Sequence, residues 1–414
     1  MQSKARFLEL WKYQIFKCAV LIHLFYFIGS FILFALNVEV DFQVYYKVGE
    51  VFITNISDLY NSANYNFPFR YFPLCAIFFI PYSLLNYELA FVFFNTMNLI
   101  LNIFASIILY KIILLIRSED HEKDDKRIIK YISLFLLGLP QGSNYVLGQI
   151  NTYIVVLILI SLYIFLKYEE IKWQLIGSVI VGISMIIKPI TIFLIPFLLV
   201  IKYEIGEKKL NFDVQKSLIR LIGVIIPLSL NFIPFLLVPS LLTGFLDTNF
   251  SGADPVIINF SFSITKLLTN FFTFYSIPIN HLLIFISIVG VIGGLGFIIF
   301  LFRRIKQNYM IYGYILGISI MLLVYFDSWD HHLLILTPLL IIALFNMPKN
   351  SEITKKFIIP GFFVLNFLNL LFIGVWVLTM SFFPYNFVST IFLLLILYGI
   401  GIYSLKIDKN VQEN

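Results

Sequence analysis

The chain has 414 residues, 60% of them hydrophobic and only 13% charged, with a net charge of +6 and a mean hydropathy of +0.93. Soluble domains carry about 25% charged residues, and a globule of this length cannot hide so much apolar surface behind so few polar side chains. Composition thus excludes a soluble protein and leaves lipid as the solvent. The basic residues sit between apolar runs and form no single patch, which points to membrane topology and away from nucleic acid.

A basic start precedes an apolar run from Cys18 to Leu36. Without a small-residue cleavage site before Asn37, this reads as a retained signal anchor. Twelve candidate spans follow the chain, near 15–36, 88–116, 131–147, 151–167, 172–187, 189–203, 219–240, 281–302, 309–326, 331–347, 357–380 and 386–405. The stretch 71–85 is interrupted by Pro73 and Pro81 and has about 15 residues, short of the roughly 20 that a span needs. If it does not cross and the N-terminus is cytoplasmic, every Lys and Arg except Lys47, Arg70, Lys188 and Lys266 falls on the cytoplasmic side, as the positive-inside rule requires. The reading is an all-α polytopic membrane protein, one transmembrane domain over 1–414, with both termini cytoplasmic. A first outer loop, 37–87, carries interfacial helices, with 71–85 lying on the membrane or re-entering it. A second outer loop covers 241–280. The basic and acidic run 117–127 reads as a solvated linker. Cys18 and Cys75 stand alone in apolar surroundings and read as packing residues.

The polar residues of the outer side carry the chemistry. In Val38-Glu-Val-Asp-Phe-Gln-Val-Tyr-Tyr46, Asp41 follows the first span, where partial desolvation would make its carboxylate a better base. The alternative is a helix cap or an interface charge. Glu39, Glu50 and Asp58 compete for the same role, and Glu88 reads as a cap of the next helix. Arg70 offers a forked donor for a lipid phosphate, or snorkels to headgroups. In Gly148-Gln-Ile-Asn151 two amides can hold sugar hydroxyls or cap helix ends. Lys188-Pro189 puts an ionisable group at a helix break, which is by default a functional site. Asp327-Ser-Trp-Asp-His-His332 offers histidines for phosphate oxygens, Trp329 for a sugar face, and acids that with the histidines could bind a metal. It also fits an interfacial belt. Asp247, Asp254 and Asn259-Phe-Ser-Phe-Ser263 could gate a site from the second loop, and Asn55, Asn249 and Asn259 head Asn-x-Ser triplets. There is no repeat, P-loop, dinucleotide fingerprint or Asp-x-Asp motif.

In this order, Asp41 with Tyr45-Tyr46, Leu59-Tyr60, Arg70-Tyr-Phe-Pro73, Gly148-Gln-Ile-Asn151, Gly182 through Lys188-Pro189, and Ser328-Trp-Asp-His-His332 resemble the motifs of family 87 glycosyltransferases, polyprenyl-phosphate-mannose-dependent enzymes of the GT-C superfamily. The resemblance runs from about residue 38 to 345. It departs at Tyr325-Phe-Asp327, where a small residue and a proline are expected. It implies a GT-C-like bundle of about 12 helices in the plasma membrane, with an extracytoplasmic active site. The donor would be a polyprenyl-phosphate-linked hexose, usually mannose, and the acceptor lipid- or glycan-linked. The resemblance makes Asp41 the catalytic base and gives donor-phosphate contacts to Arg70, Lys188, His331 and His332. Sugar or acceptor contacts fall to Tyr45, Tyr46, Gln149, Asn151, Trp329 and Asp330. No metal or cofactor is expected, since a phosphate leaving group departs with the help of cations alone. The competing class is a transporter or flippase of a lipid-linked or small polar substrate. It would place polar groups near the midplane within repeats, whereas the motifs here cluster on one face.

Overall fold

A computed structural model of the chain describes residues 9–36, 40–121, 124–250, 261–278, 280–305, 307–379 and 388–406. The helices are α1 (Gln14–Ala35), α2 (Phe42–Thr54), α3 (Cys75–Ser83), α4 (Tyr87–Ile116), α5 (Asp125–Leu137), α6 (Leu139–Leu147), α7 (Asn151–Lys167), α8 (Ile171–Ile187), α9 (Ile195–Leu198) and α10 (Val214–Leu230). They continue with α11 (Phe232–Leu237), α12 (Ser240–Phe250), α13 (Ile264–Phe274), α14 (His281–Ile288), α15 (Gly294–Leu301), α16 (Tyr309–Val324), α17 (Leu333–Asn346), α18 (Ile359–Phe367), α19 (Asn369–Leu378) and α20 (Val388–Leu405). A π-turn, Val289–Gly293, joins α14 to α15. One antiparallel hairpin, β1 (Ile201–Glu204) with β2 (Lys209–Phe212), pairs Ile201 with Phe212 and Glu204 with Lys209.

The core is built on α16 and α17. Met310–Val324 and Leu333–Phe345 are buried at every position, as a helix apolar all round must be when other helices surround it. At the periphery, α1 exposes Leu21, Phe25 and Ile32, and α10 and α11 expose Ile225, Leu236 and Leu237. The described helices Gln14–Ala35, Tyr87–Ile116, Val214–Leu237 and His281–Leu301 are long and apolar enough to cross a membrane, and six further apolar helices have 10–17 residues.

Four expectations change, the first being that the run 131–147 breaks at extended Gly138, ahead of Pro140, into α5 and α6. The run 189–203 is not one helix: a six-residue 3-10 turn, Pro189–Leu194, leads into the four residues of α9, and strand β1 begins at Ile201. Pro189 and Pro196 explain this, since neither supplies the amide that a continuous α-helix needs. The run 357–380 breaks at Leu368 into α18 and α19. The cap of α4 is Asn86, whose side chain accepts the Leu89 amide at 2.9 Å, while Glu88 sits in the first turn. The 71–85 stretch holds the nine residues of α3, about 13 Å long and too short to span. Cys75, Ala76, Phe79 and Tyr82 are buried, and α3 touches α2 so closely that a Cβ on Gly49 would meet the Phe79 carbonyl oxygen at 2.7 Å.

Candidate functional site

Asp41 occupies the position before α2 where a carboxylate ordinarily caps the helix, yet its side chain makes no capping bond. It accepts instead a hydrogen bond from the Gln149 Nε2 amide. The amide's orientation is fixed by chemistry. A carboxylate only accepts and an ammonium only donates, so the Gln149 nitrogen must face Asp41 and its oxygen must face Lys188, whose Nζ lies 3.5 Å from Oε1. The same Oε1 accepts the Tyr45 hydroxyl at 3.0 Å. Lys188 is 3% exposed and gives its shortest bond, 2.6 Å, to Asn151 Oδ1. Neither Gln149 nor Asn151 caps α7: the residue before that helix is Ile150, and no side chain bonds there.

Local backbone chemistry brings these groups together. Gly148 ends α6 at φ +63°, with the Gln149 amide on the Asn144 carbonyl and the Gly148 amide on that of Tyr145, the Schellman pattern that glycine permits. A Cβ there would lie 2.6 Å from Phe42 Cβ, so only glycine lets the turn reach the residue next to Asp41. Lys188 precedes proline and is extended (φ −145°, ψ 101°), as a residue before proline must be. Gly182 serves packing: a Cβ would meet Pro227 and the Val224 carbonyl, where α8 crosses α10. Asn98 donates to the Gln149 carbonyl at 3.4 Å, which sets the turn about 16 Å along α4 from Tyr87 at 1.5 Å per residue.

The electrostatics follow from burial. Desolvation pushes the Asp41 carboxyl above the usual range, opposed by the Gln149 hydrogen bond and the Lys188 charge. Desolvation lowers Lys188 to about 7, opposed by the Asp41 charge. Each charge is therefore maintained in part by the other.

The 327–332 turn joins the same site from the far side. Lys188 lies within electrostatic range of both His331 and His332, whose rings are 4.3 Å apart. His332 Nδ1 accepts the Trp329 amide at 3.1 Å, so a neutral His332 carries its proton on Nε2 and presents a donor there. His331 Nδ1 is buried without a hydrogen-bond partner. Asp330 accepts from Ser143 of α6. Arg70 pairs with Asp327 at 2.7 Å, both about 30% exposed. The Tyr71 hydroxyl meets that of Tyr45 at 2.8 Å, linking the Arg70 segment to Gln149. The second loop holds the turn in place: the Phe262 amide bonds the Ser328 carbonyl at 2.9 Å and Ser261 Oγ bonds that of Phe326 at 2.9 Å.

Thus Asp41, Tyr45, Gln149, Asn151 and Lys188 form one hydrogen-bonded cluster with His331 and His332 beside it. Arg70 and Asp330 enter through Asp327 and Ser143. Tyr46 does not join. Its hydroxyl bonds the Leu85 carbonyl at 2.8 Å, and it lines a separate cavity of about 360 Å³ with Gln43, Lys47, Glu50, Tyr65 and Tyr87. Trp329 is half-buried, and the bond placing it beside His332 is made by its backbone. Glu50 pairs with Lys47 and Asp58 with Asn55, both near the surface; Glu39, Asp254 and Asn259 lie outside the described residues. Cys75 is buried and its thiol donates a weak hydrogen bond to the Ile187 carbonyl at 3.4 Å. Among the described residues no three His, Cys, Asp or Glu side chains converge as metal ligands would. Sequence reasoning gave no role to Tyr71, Ser143 or Asn98. Tyr71 lies within the recognised Arg70-Tyr-Phe-Pro73 motif, whereas Ser143 and Asn98 carry no local signal.

The arrangement sets a half-buried carboxylate against a buried ammonium, with imidazole donors and a guanidinium nearby. It can accept a proton on one side and stabilise a developing anion on the other. The model of glycosyltransferase family 87 matches residues 69–325, more than half of the chain, from just before Arg70 to Tyr325. Asp41 precedes the matched stretch and the 327–332 turn follows it; the contacts above tie both to it. No curated protein matches the chain.

Proposed function

The chain belongs to glycosyltransferase family 87, a membrane glycosyltransferase family of GT-C type, and from that premise we propose that it moves a hexose, mannose in the first instance, from a polyprenyl-phosphate donor to a lipid- or glycan-linked acceptor. The reaction is an inverting displacement at the extracytoplasmic face of the plasma membrane. The fold in this reading has about twelve spans with both termini cytoplasmic, which the distribution of Lys and Arg supports.

The observation that carries the reading is the placement of Asp41: free of the helix end it could cap, bonded to Gln149, and coupled in charge to Lys188. Asp41 takes the proton of the acceptor hydroxyl as that oxygen forms its bond to the anomeric carbon. The bond from the anomeric carbon to the lipid phosphate breaks, and its electron pair leaves with the phosphate. Lys188, the His332 Nε2–H and His331 then face the growing negative charge, and Arg70 adds to the field from its pair with Asp327. Prepaid positioning and fixed charges of this kind lower a barrier by several kcal/mol. Gln149 holds base and cation in register, while Asn151, Tyr45 and Asp330 border the space for the sugar. The apolar surface of α3, with Ile77 exposed and Leu84 exposed just past its end, seats the lipid tail.

The test is transfer by the purified protein in lipid nanodiscs, given an acceptor extract and either polyprenyl-phosphate-[14C]mannose or nucleotide-[14C]mannose. Labelled product and free polyprenyl phosphate should arise from the lipid donor alone. Transfer from the nucleotide sugar, or passage of labelled sugar across vesicles without covalent transfer, would overturn the proposal; the second result would favour the transporter.

A further inference from the structure

At the end of α8 away from Lys188, about 20 Å along the helix, the protein buries two more positive charges. Arg220 on α10 and Arg303, just past α15, are 4% and 5% exposed. Arg220 gives Nε and Nη2 to Gln174 Oε1 at 2.8 and 2.6 Å, and Nη1 to the Leu198 carbonyl at 3.0 Å. Arg303 makes both of its hydrogen bonds through Nη1, to the carbonyls of Ile201 and Phe300 at 2.7 and 2.6 Å. Its guanidinium lies 4.2 Å from the Phe300 ring and 4.2 Å from that of Tyr309. The Tyr309 hydroxyl in turn accepts Arg220 Nη1 at 3.5 Å, so the two cations flank one ring.

All of these partners are neutral. Buried charges are ordinarily paired, because an unpaired one pays its full desolvation cost. Among the described residues neither arginine has an acidic partner: Glu204 pairs with Lys202, and Asp213 caps α10 through the Lys216 amide. The carbonyls of Leu198, Ile201 and Phe300 supply only partial negative charge to these cations, which leaves both without an ionic counter-charge among the described residues. Arg303 Nε is buried without a hydrogen-bond partner. With Nη1 occupied, the open edge of the fork is the one that pairs of phosphate oxygens fit.

We propose that Arg220 and Arg303 form an anion site for a phosphate group, supplied by an anionic phospholipid headgroup, on the face of the protein opposite Asp41. Two features favour a lipid source over a free anion. Leu218, Ile222 and Ile225 on α10 and Leu295 and Ile298 on α15 are exposed; on α10 they occupy the face turned away from the buried Arg220, and on both helices they offer acyl chains an apolar outer surface. On the hairpin Lys202, Lys208 and Lys209 outnumber Glu204 and Glu207, and with Arg304 they leave this end of the protein net positive, which draws anionic headgroups. The proposal is independent of the role given to Asp41.

The experiment is native mass spectrometry of the delipidated full-length protein titrated with phosphatidylglycerol, with phosphatidylcholine of the same chains, and with inorganic phosphate. One phosphatidylglycerol should bind with about tenfold preference over phosphatidylcholine, as expected of one charge-assisted forked contact. Arg303→Gln should abolish the preference, Arg303→Lys should keep part of it, and Lys47→Gln, at the opposite face where Lys47 pairs with Glu50, should leave it intact. Equal retention of the two lipids by the wild-type protein, without any effect of phosphate, would overturn the site whatever the variants do. An Arg303-dependent effect of inorganic phosphate without lipid selectivity would overturn the headgroup source. Lipid preference that survives Arg303→Gln in folded protein would also refute it.

Discussion

Replacing Gln149 with leucine preserves volume and removes three hydrogen bonds at once, those with Asp41, Tyr45 and Lys188. Lys188 retains its 2.6 Å bond to Asn151, so the principal loss falls on Asp41. A hydrogen bond to a charged group contributes about 1.5–3 kcal/mol, which at 1.36 kcal/mol per pH unit is roughly 1–2 units. The sign is fixed by the balance at the carboxyl. Burial raises its pKa and the Gln149 bond lowers it, so removing the bond raises the pKa further. The base is then protonated over a wider range of pH, and the acid limb of kcat/KM moves upward by roughly 1–2 pH units. Below that limb the variant should be about 10- to 100-fold slower than the wild type, and the deficit should close as pH rises. The assay is initial-rate transfer from the lipid donor between pH 5 and 9, with protein level checked by blotting. A uniform loss at every pH with an unmoved acid limb would refute the claim that Gln149 tunes Asp41 and leave it a packing role.

Three other outcomes follow from the same geometry. Because burial holds Lys188 near 7 and catalysis uses its charged form, kcat/KM should fall as pH rises through neutrality. The corresponding limb of kcat should lie higher, since bound phosphate favours the ammonium. Lys188→Met should remove that limb and lower kcat/KM by about 100-fold, the cost of one missing charge donor at a developing anion, as read from pH profiles of both proteins. Gly148→Ala should lower thermal stability by at least 1 kcal/mol (an order-of-magnitude figure for a forced left-handed residue) and also impair transfer, because its Cβ strikes Phe42 beside Asp41. Differential scanning fluorimetry and the transfer assay read the two effects. Single cysteines placed at Gln43 and Asp327 should be labelled by an impermeant maleimide added to intact cells, and one placed at Lys349 should not; any other pattern contradicts the proposed topology.

The elements were legible in the sequence wherever solvent alone decides them. Long apolar runs such as 88–116 and 309–326 could only be buried helices, and α4 and α16 follow them closely. The run 189–203 was not legible, because hydropathy does not register the amides missing at Pro189 and Pro196; it reads as a span and is a 3-10 turn, a short helix and the start of a strand. Within the site, motifs marked the right segments without giving their relation. Tyr45 and Tyr46 are alike in sequence, but one helical step turns them about 100° apart, so Tyr45 reaches Gln149 while Tyr46 faces a different cavity. Arg70 was matched to headgroups or a phosphate; its partner Asp327 is 257 residues away, a separation no local pattern spans. Ser143 finds Asp330 in the same manner.

The central claim rests on one carboxyl group acting as base. The most direct measurement is lipid-donor transfer by Asp41→Asn, a substitution that keeps the shape and the polar contact to Gln149 but cannot take a proton. Transfer should fall by at least 10²–10⁴-fold, the range for loss of a general base, at every pH tested, with unchanged membrane abundance and thermal stability. Transfer within a few-fold of wild type in well-folded Asp41→Asn protein would show that another group removes the proton.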